Sequence, residues 1–180
     1  IKCKMQIAVT QRKYIIGDVE GNTSKIIGEI HKAKATKVDI VVFSELAICG
    51  YPPKDLLDYP SLIERCEVGL ALICAETDGI AVIVGGPAWS NLQKGKKLYN
   101  SAFFYADKKL LRRIDKTLLP TYDIFDEYRY FQPNEVFECV EYKGERIAVT
   151  VCEDLWNLDD EKLYKVTPMD ELIGQKPSVM

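Results

Sequence analysis

Three ionisable side chains stand where apolar segments give way to polar ones: Glu45, Lys116 and Cys152. A thiol can attack a carbonyl carbon, a carboxylate can take the thiol proton, and an ammonium can stabilise the developing oxyanion. Together these residue types suit acyl transfer from an amide. Each also has a purely structural interpretation: a small buried thiol, a solvated carboxylate, and a lysine on the basic face of a strand.

The surroundings of the cysteine favour the chemical interpretation. Cys152 follows the run 147–151, which is rich in β-branched residues and predicts a buried strand. A thiol at a strand-to-turn corner is held rigidly beside backbone N–H groups that can bind an oxyanion. The single histidine, His31, lies among lysines in a predicted helix, where a solvated position is expected. The base is therefore expected to be a carboxylate, and two-histidine metal sites are excluded.

Length, charge and cysteine usage limit the class of protein. A chain of 180 residues predicts one domain with a sizeable core. A formal net charge of −3 gives no electrostatic reason to expect nucleic acid or an anionic membrane as a partner. No apolar run approaches a transmembrane span, and no signal-peptide layout begins the chain. The six cysteines form no CxxC pair, so reduced thiols in a cytoplasm are expected rather than disulfides.

The apolar pattern of the first half predicts alternating strands and helices. The predicted elements are strands at 5–9, 38–43 and 80–84, a helix capped by Asn22 or Thr23, and a helix at 61–75. The last of these strands is expected to end at Gly85-Gly86. Strand–helix–strand order with strongly apolar strands predicts a βαβ crossover and an α/β fold. Glu45 would then follow the carboxyl end of a strand, where α/β sheets usually carry their chemistry.

The second half predicts two antiparallel hairpins separated by a long irregular segment. The predicted elements are hairpin strands at 98–105 and 110–114, hairpin strands at 137–142 and 147–151, short helices near 159–164 and 168–174, and the start of a strand at 177–180. Lys116 lies where the first hairpin leads into residues 118–133, which are dense in aromatic side chains. Loops of that length in compact domains are often functional.

Three segments resemble the Glu–Lys–Cys signature of the nitrilase (carbon–nitrogen hydrolase) superfamily. They are Phe43-Ser44-Glu45-Leu46 with Gly50-Tyr51, then Asp115-Lys116-Thr117, then Val151-Cys152-Glu153-Asp154, in the family's chain order. Longer stretches at 50–57, 119–131 and 152–156 are similar to the N-terminal glutaminase domains of the glutamine-dependent NAD synthetases. The resemblance covers essentially the whole chain. It implies a mixed α/β fold of the nitrilase type, a four-layer αββα sandwich.

The resemblance also implies roles for individual residues. Glu45 would be the general base, Lys116 the stabiliser of the oxyanion and Cys152 the nucleophile. Glu127 matches a second acidic residue beside the lysine, Tyr122 matches a tyrosine that contacts the substrate, and Glu153 supplies neighbouring backbone. The implied substrate-binding residues are Tyr51, Tyr122, Glu127 and Glu153. No metal is implied at this site. Ser44 stands where the family usually has proline, a change that should be tolerated.

The implied function is hydrolysis of glutamine to glutamate and ammonia. A synthetase domain would use the ammonia, ATP and Mg²⁺ to make NAD from deamido-NAD, and no cofactor is expected in the glutaminase domain itself. The expected organisation is one carbon–nitrogen hydrolase domain over 1–180, incomplete at its C-terminus, with the synthetase domain absent. The expected setting is the cytoplasm. Glutamine and the synthetase domain or subunit are the expected partners, with a homo-oligomer in the complete protein.

Two alternatives to that function stay open. One is a stand-alone amidase or carbamoylase of the same superfamily that acts on another small amide. The other is a catalytically inactive fragment that serves as a scaffold. The aromatic segment around Tyr122 favours the glutaminase over the first alternative, and an assay of glutamine hydrolysis distinguishes it from the second.

Overall fold

A computed structural model describes residues 5–158 and 163–180 of the chain. The chain divides into two compact units. The first unit comprises Ile1–Ala88 and Ser101–Arg113, and the second unit comprises Trp89–Asn100 and Ile114–Met180.

The described elements alternate between strand and helix in the first unit and become shorter in the second. They are β1 (Ile7–Val9), α1 (Val19–Ala35), β2 (Ile40–Val42), α2 (Pro60–Ala75), β3 (Ala81–Trp89), β4 (Leu98–Ala106), β5 (Lys109–Asp115), α3 (Glu127–Tyr130), β6 (Val140–Tyr142), β7 (Glu145–Ile147) and α4 (Pro168–Ile173). Single 3₁₀ turns lie at Lys54–Asp58 and Cys152–Leu155. Strands β1 to β5 are neighbours in that order in one sheet, and β6 pairs with β7 in another.

The predicted βαβ crossover is confirmed. Strand β1 pairs in parallel with β2, and β2 pairs in parallel with β3, with Ile40 opposite both Ile7 and Ala81. Parallel neighbours need a long connection, which α1 and α2 supply. The two helices pack against each other, and their buried apolar residues recur at helical spacing.

Helix α1 begins earlier than the sequence predicts. Asp18 is its N-cap, and its side chain accepts a hydrogen bond of 3.1 Å from the Gly21 N–H. The predicted cap at Asn22 or Thr23 is therefore wrong. The Asn22 side chain instead accepts from the Ile15 N–H at 2.9 Å and donates to the Ile15 carbonyl at 2.8 Å. It also donates to the Ile48 carbonyl at 3.2 Å. A fully buried amide thus joins two loops of the first unit.

Strand β3 also differs from the prediction, because it continues through Gly85 and Gly86 to Trp89. A Cβ atom on Gly85 would lie 2.3 Å from the Leu46 nitrogen and 2.6 Å from the Ser44 oxygen. Glycine is present here because another stretch of backbone passes close to the strand, and the strand does not end.

The two predicted hairpins of the second half have different outcomes. The first hairpin is confirmed as β4 and β5, joined by a turn in which Asp107 and Lys108 both have positive φ. The second hairpin shrinks to β6 and β7, so the predicted strand over 147–151 is wrong beyond Ile147. There the chain forms a single bridge between Ile147 and Val179, and the Ala148 N–H donates to the Val179 carbonyl at 2.9 Å.

The remaining predictions for the second half are mostly met. The segment 118–133 is irregular except for one helical turn, α3. Helix α4 matches the predicted helix near 168–174. The predicted helix at 159–164 falls largely on residues 159–162, which lie outside the described residues.

Candidate active site

Glu45 lies in the first unit, on a tight turn that follows β2. The turn is fixed on both sides: Phe43 N–H donates to the Ile83 carbonyl at 2.8 Å, and Ile48 N–H donates to the Gly85 carbonyl at 3.2 Å. Leu46 adopts a φ of +49°, in the left-handed region that suits a sharp reversal. The half-buried Glu45 side chain therefore projects from a backbone that has little freedom.

Tyr51 follows Gly50 at the end of the same turn and is half-buried. Gly50 has a φ of +76°, and a Cβ atom there would lie 2.8 Å from the backbone of Ile15 and Ile16. Both the conformation and the close approach require glycine. The loop that carries Tyr51 is thus held against a second loop of the first unit.

Lys116 lies in the second unit, directly after β5, and its side chain is fully buried. Its Nζ donates to Glu127 Oε2 at 2.7 Å, and Glu127 is itself only 5% exposed. Asn100 Nδ2 lies 3.5 Å from the same carboxylate oxygen. A buried ammonium is tolerated when an opposite charge and hydrogen bonds replace its hydration. Glu127 thereby holds the lysine side chain at a fixed place.

The backbone positions both members of this ion pair. Lys116 N–H donates to the Asn100 carbonyl at 2.8 Å, and the Lys116 carbonyl accepts from Asn134 at 3.1 Å. Glu127 opens α3, where its N–H donates to the Pro120 carbonyl at 3.0 Å. The single helical turn inside the aromatic segment therefore has a clear consequence: it points a carboxylate at the lysine.

Cys152 begins a 3₁₀ turn in the second unit, and its side chain is exposed. Its φ is +46°, an unusual value for a residue with a Cβ atom and one that often marks functional sites. The other described cysteines, Cys49, Cys66, Cys74 and Cys139, are also free thiols but are buried or half-buried. Among these five described cysteines, Cys152 is the exposed one.

Asp154, two residues beyond the cysteine, is buried and accepts three backbone hydrogen bonds. Its Oδ1 accepts from Thr117 at 3.0 Å and from Leu118 at 2.8 Å, and its Oδ2 accepts from Val151 at 3.3 Å. Burial raises the pKa of Asp154 to about 6, although the three N–H donors and the nearby Lys116 charge favour the ionised form.

Glu153 is the centre of a second polar cluster. Its carboxylate accepts hydrogen bonds from the Tyr122 hydroxyl at 2.9 Å and from the Tyr164 hydroxyl at 3.1 Å. The hydrogen bond to Glu153 raises the pKa of Tyr122, and burial raises the pKa of Tyr164. Tyr122 remains 47% exposed, and its ring meets that of Phe125 edge-on at 5.5 Å. A hydroxyl held in this way can contact a ligand in a defined orientation.

The second unit thus contains Lys116 paired with Glu127, and Tyr122 bonded to Glu153. Glu45 and Tyr51 belong to the first unit. Sequence reasoning missed the contacts of Asp154 and Tyr164. Asp154 stood within a recognised motif, but acidic residues next to a turn usually indicate a solvated surface. Tyr164 carried no pattern at all that could have linked it to Glu153.

Two kinds of feature are absent from the described residues. Among residues 5–158 and 163–180, no cluster of three or more His, Cys, Asp or Glu side chains is arranged to hold a metal ion. Over the same residues, no helix combines the length and apolar character needed to cross a membrane.

The comparison with known families identifies the class of protein. Residues 6–160 match the sequence model of the family described as Carbon-nitrogen hydrolase. The chain therefore belongs to the carbon–nitrogen hydrolase family. This agrees with an exposed thiol, a buried lysine and a half-buried glutamate placed at the ends of secondary-structure elements.

Particular relatives carry a more specific name, Glutamine-dependent NAD(+) synthetase. The relative from Synechocystis sp. is 40% identical over 176 residues, which cover 94% of this chain and 32% of that protein. The relative from Aquifex aeolicus is 35% identical over 171 residues, which cover 94% of this chain and 29% of that protein. The chain spans about a third of the length of the curated relatives it matches.

Solved structures show a similar relationship. A glutamine-dependent NAD+ synthetase from Acinetobacter baumannii matches with a TM-score of 0.85 and 31% identity, covering 97% of this chain and 31% of that one. A nitrilase-superfamily amidase from Nesterenkonia matches with a TM-score of 0.71 and 20% identity, covering 84% of this chain and 56% of that one. The second likeness concerns the fold alone. Together they confirm the predicted nitrilase-like α/β fold.

Proposed function

We propose that the chain is the glutaminase part of a glutamine-dependent NAD synthetase. It would hydrolyse glutamine to glutamate and ammonia. The observation that carries this proposal is the exposed Cys152 thiol, held at positive φ in the same unit as the buried Lys116 ammonium. The names of the relatives support glutamine as the amide.

In the proposed reaction Cys152 is the nucleophile and Glu45 is the general base. Glu45 takes the thiol proton as Sγ attacks the amide carbonyl carbon, and the proton then passes to the departing nitrogen, which leaves as ammonia. This step forms a thioester and breaks the C–N bond. Water then attacks the thioester and gives a proton to Glu45, and as the C–S bond breaks Glu45 passes that proton to the sulfur. Glutamate is released, and the thiol is regenerated.

Lys116 is proposed to stabilise the oxyanion in both steps, together with the N–H of Glu153. A preorganised ammonium is effective because it needs no reorientation as negative charge develops on the carbonyl oxygen. The support for this role is its fixed position: the side chain is fully buried and bonded to Glu127 at 2.7 Å. Glu127 would act through the lysine, as its counter-ion.

Tyr122, Tyr51 and Glu153 are proposed to bind the substrate. The half-exposed Tyr122 ring offers an apolar face for the aliphatic part of glutamine, and its hydroxyl is oriented by the Glu153 carboxylate. Tyr51 is proposed because its loop is held rigidly against Ile15 and Ile16. Glu127 completes the proposed set by fixing the lysine beside the reacting carbonyl.

The ammonia is proposed to pass to a synthetase domain that converts deamido-NAD into NAD with ATP and Mg²⁺. In this proposal residues 1–180 form a single carbon–nitrogen hydrolase domain. None of those cofactors is assigned to it. We also propose a cytoplasmic location and a homo-oligomeric complete protein.

A comparison of amide substrates tests the proposal. The full-length protein should release ammonia from glutamine, and much more slowly from short aliphatic amides or carbamoyl compounds. Faster hydrolysis of those other amides would favour the stand-alone amidase. Failure to hydrolyse any amide, by a protein whose Cys152 is shown to be reduced, would favour the inactive scaffold.

A further inference from the structure

We infer that Asp154 is a positioning residue that fixes the Lys116 segment and the Cys152 turn relative to each other. The inference rests on the proposed function, because the two residues that it positions are the proposed oxyanion stabiliser and the proposed nucleophile. It adds a residue to which the reaction scheme above gives no role.

The hydrogen bonds carry the argument. Asp154 Oδ1 accepts from the N–H groups of Thr117 and Leu118, the two residues directly after Lys116, at 3.0 and 2.8 Å. Oδ2 accepts from the N–H of Val151, the residue directly before Cys152, at 3.3 Å. One carboxylate therefore links the backbone next to Lys116, which carries the ammonium, to the backbone next to Cys152, which carries the thiol.

A simple capping role does not account for this arrangement. A side chain that only caps the 3₁₀ turn needs the bond to Val151, which lies three residues away. The bonds to Thr117 and Leu118 join segments that are 37 and 36 residues apart in the sequence. Without Asp154, two N–H groups in a buried segment would lose their acceptor, which costs about 1–3 kcal/mol each.

The choice of a carboxylate is itself informative. Asp154 is 3% exposed, and placing a charge there is unfavourable, because burial raises its pKa to about 6. Burial by itself therefore disfavours an ionisable group in this position. A planar carboxylate does offer two oxygens that can accept from opposite sides. That geometry is what a bridge between two segments needs.

The effect should appear in turnover rather than in substrate binding. Displacing catalytic groups by about 1 Å can cost about a hundredfold in rate. Lys116 and Cys152 would act on the reacting carbonyl, so their misplacement removes interactions made in the transition state. Tyr122 and its bond to Glu153 do not involve the Asp154 side chain, so KM should change little.

The experiment compares Asp154→Asn and Asp154→Ala in the full-length protein. In Asp154→Asn the amide oxygen can keep the bonds to Thr117 and Leu118, whereas its NH₂ group faces the Val151 N–H. We expect kcat to fall at least about tenfold with KM within about threefold, and the melting temperature to stay within a few degrees. Asp154→Ala loses all three acceptors, so kcat should fall further.

Two electrophiles separate positioning from general damage. A glutamine-like chloromethyl ketone reacts with the thiol through carbonyl addition and so uses the oxyanion site. With iodoacetamide the sulfur displaces iodide directly from the CH₂ carbon, so no oxyanion forms. In Asp154→Asn, modification of Cys152 by the ketone should slow about in proportion to kcat, and modification by iodoacetamide should be nearly unchanged. Peptide mass spectrometry assigns both products to Cys152.

Gln175→Ala is the matched control. Its side chain also bonds backbone within the second unit, to the Cys139 N–H at 3.0 Å and the Phe137 carbonyl at 2.7 Å. It should lower stability and leave kcat unchanged. Wild-type kcat in Asp154→Asn, or an equal loss of kcat in Gln175→Ala, would overturn the positioning role alone. A wild type that does not hydrolyse glutamine would overturn the proposed function and the positioning role together.

Discussion

Lys116 Nζ donates to Glu127 Oε2 at 2.7 Å, and both side chains are buried. The two residues are 11 positions apart, and the short helix α3 at Glu127–Tyr130 supplies the carboxylate. The pair places a positive charge in the interior of the second unit and neutralises it there. The contribution of this pair to the free energy of unfolding should therefore differ greatly from that of an ion pair on the surface.

Glu127→Gln should lower the free energy of unfolding by roughly 3 kcal/mol, because it removes the carboxylate charge to which the buried ammonium is bonded. The surface pair Arg146–Glu141 provides the comparison, since its side chains are 48% and 63% exposed. Glu141→Gln should cost less than about 1 kcal/mol. Urea unfolding measures both. Adding Lys116→Met to Glu127→Gln should recover part of the loss, and additive effects would contradict the direct coupling.

Lys116→Met should reduce glutamine turnover by about two orders of magnitude or more, the usual effect of removing an oxyanion donor. Glu45→Gln should have an effect of similar size, because it removes the proposed base. Steady-state ammonia release measures both. Glu67→Gln, on the exposed face of α2, is the control for Glu45 and should keep wild-type turnover. A Glu45→Gln variant with normal turnover would rule that residue out as the base.

Cys152→Ala should abolish glutamine-dependent NAD synthesis by the full-length protein, while added ammonia still supports it. The reason is that the thiol is needed only for cleavage of the amide. Cys139→Ala, which removes a half-buried thiol of the same unit, should leave both activities intact. Glutamine hydrolysis that persists in Cys152→Ala would show that another group is the nucleophile.

The buried Asp154 should make stability depend on pH. Burial raises its pKa to about 6, whereas an unfolded aspartate has a pKa of about 3.9. Between these values the folded protein binds the proton more tightly, so this contribution is fully present below about pH 4 and is lost as the pH rises through about 6. Relative to Asp154→Asn, the wild type should gain about 1 kcal/mol on going from pH 7.5 to pH 5. Urea unfolding at both values tests this, and a constant difference would contradict it.

Gly85→Ala should damage the turn that carries Glu45, because the new Cβ atom would lie 2.3 Å from the Leu46 nitrogen. We expect a loss of about 1–3 kcal/mol in stability together with reduced turnover. Gly28→Ala is the matched control, since its Cβ atom would meet no other group within 4 Å. Because Gly28 lies in the middle of α1, Gly28→Ala should raise the free energy of unfolding by about 0.5–1 kcal/mol. Thermal unfolding and ammonia release give both results, and equal behaviour of the two variants would argue against the close packing.

The sequence predicted elements well where the determining interactions are local. The helix expected at 61–75 is α2, and the hairpin around Asp107 and Lys108 is β4 and β5. Prediction from the sequence failed where contacts with backbone far away in the sequence determine the local structure. Gly85 looked like the end of a strand, but its neighbours are Ser44 to Leu46. The apolar run before Cys152 looked like a full strand, but Ala148 bonds to Val179 rather than to a hairpin partner.

The same distinction applies to the candidate site. Glu45, Lys116 and Cys152 were recognisable from residue type, from their position at the ends of apolar segments and from the family resemblance, and their roles remain predictions. Asp154 was not assigned a role, because nothing local shows that its carboxylate meets Thr117 and Leu118. Tyr164 was missed for a related reason, since its bond to Glu153 joins residues that are 11 positions apart in the sequence.

The left-handed backbone at Cys152 has an evolutionary consequence. A φ of +46° costs a residue with a Cβ atom roughly 1 kcal/mol that glycine does not incur, and asparagine incurs less of it. Selection for stability and selection for a nucleophile therefore act in opposite directions at this one position. If a duplicated gene no longer had to encode an amide-cleaving protein, selection for stability would favour replacement of Cys152 by glycine or asparagine.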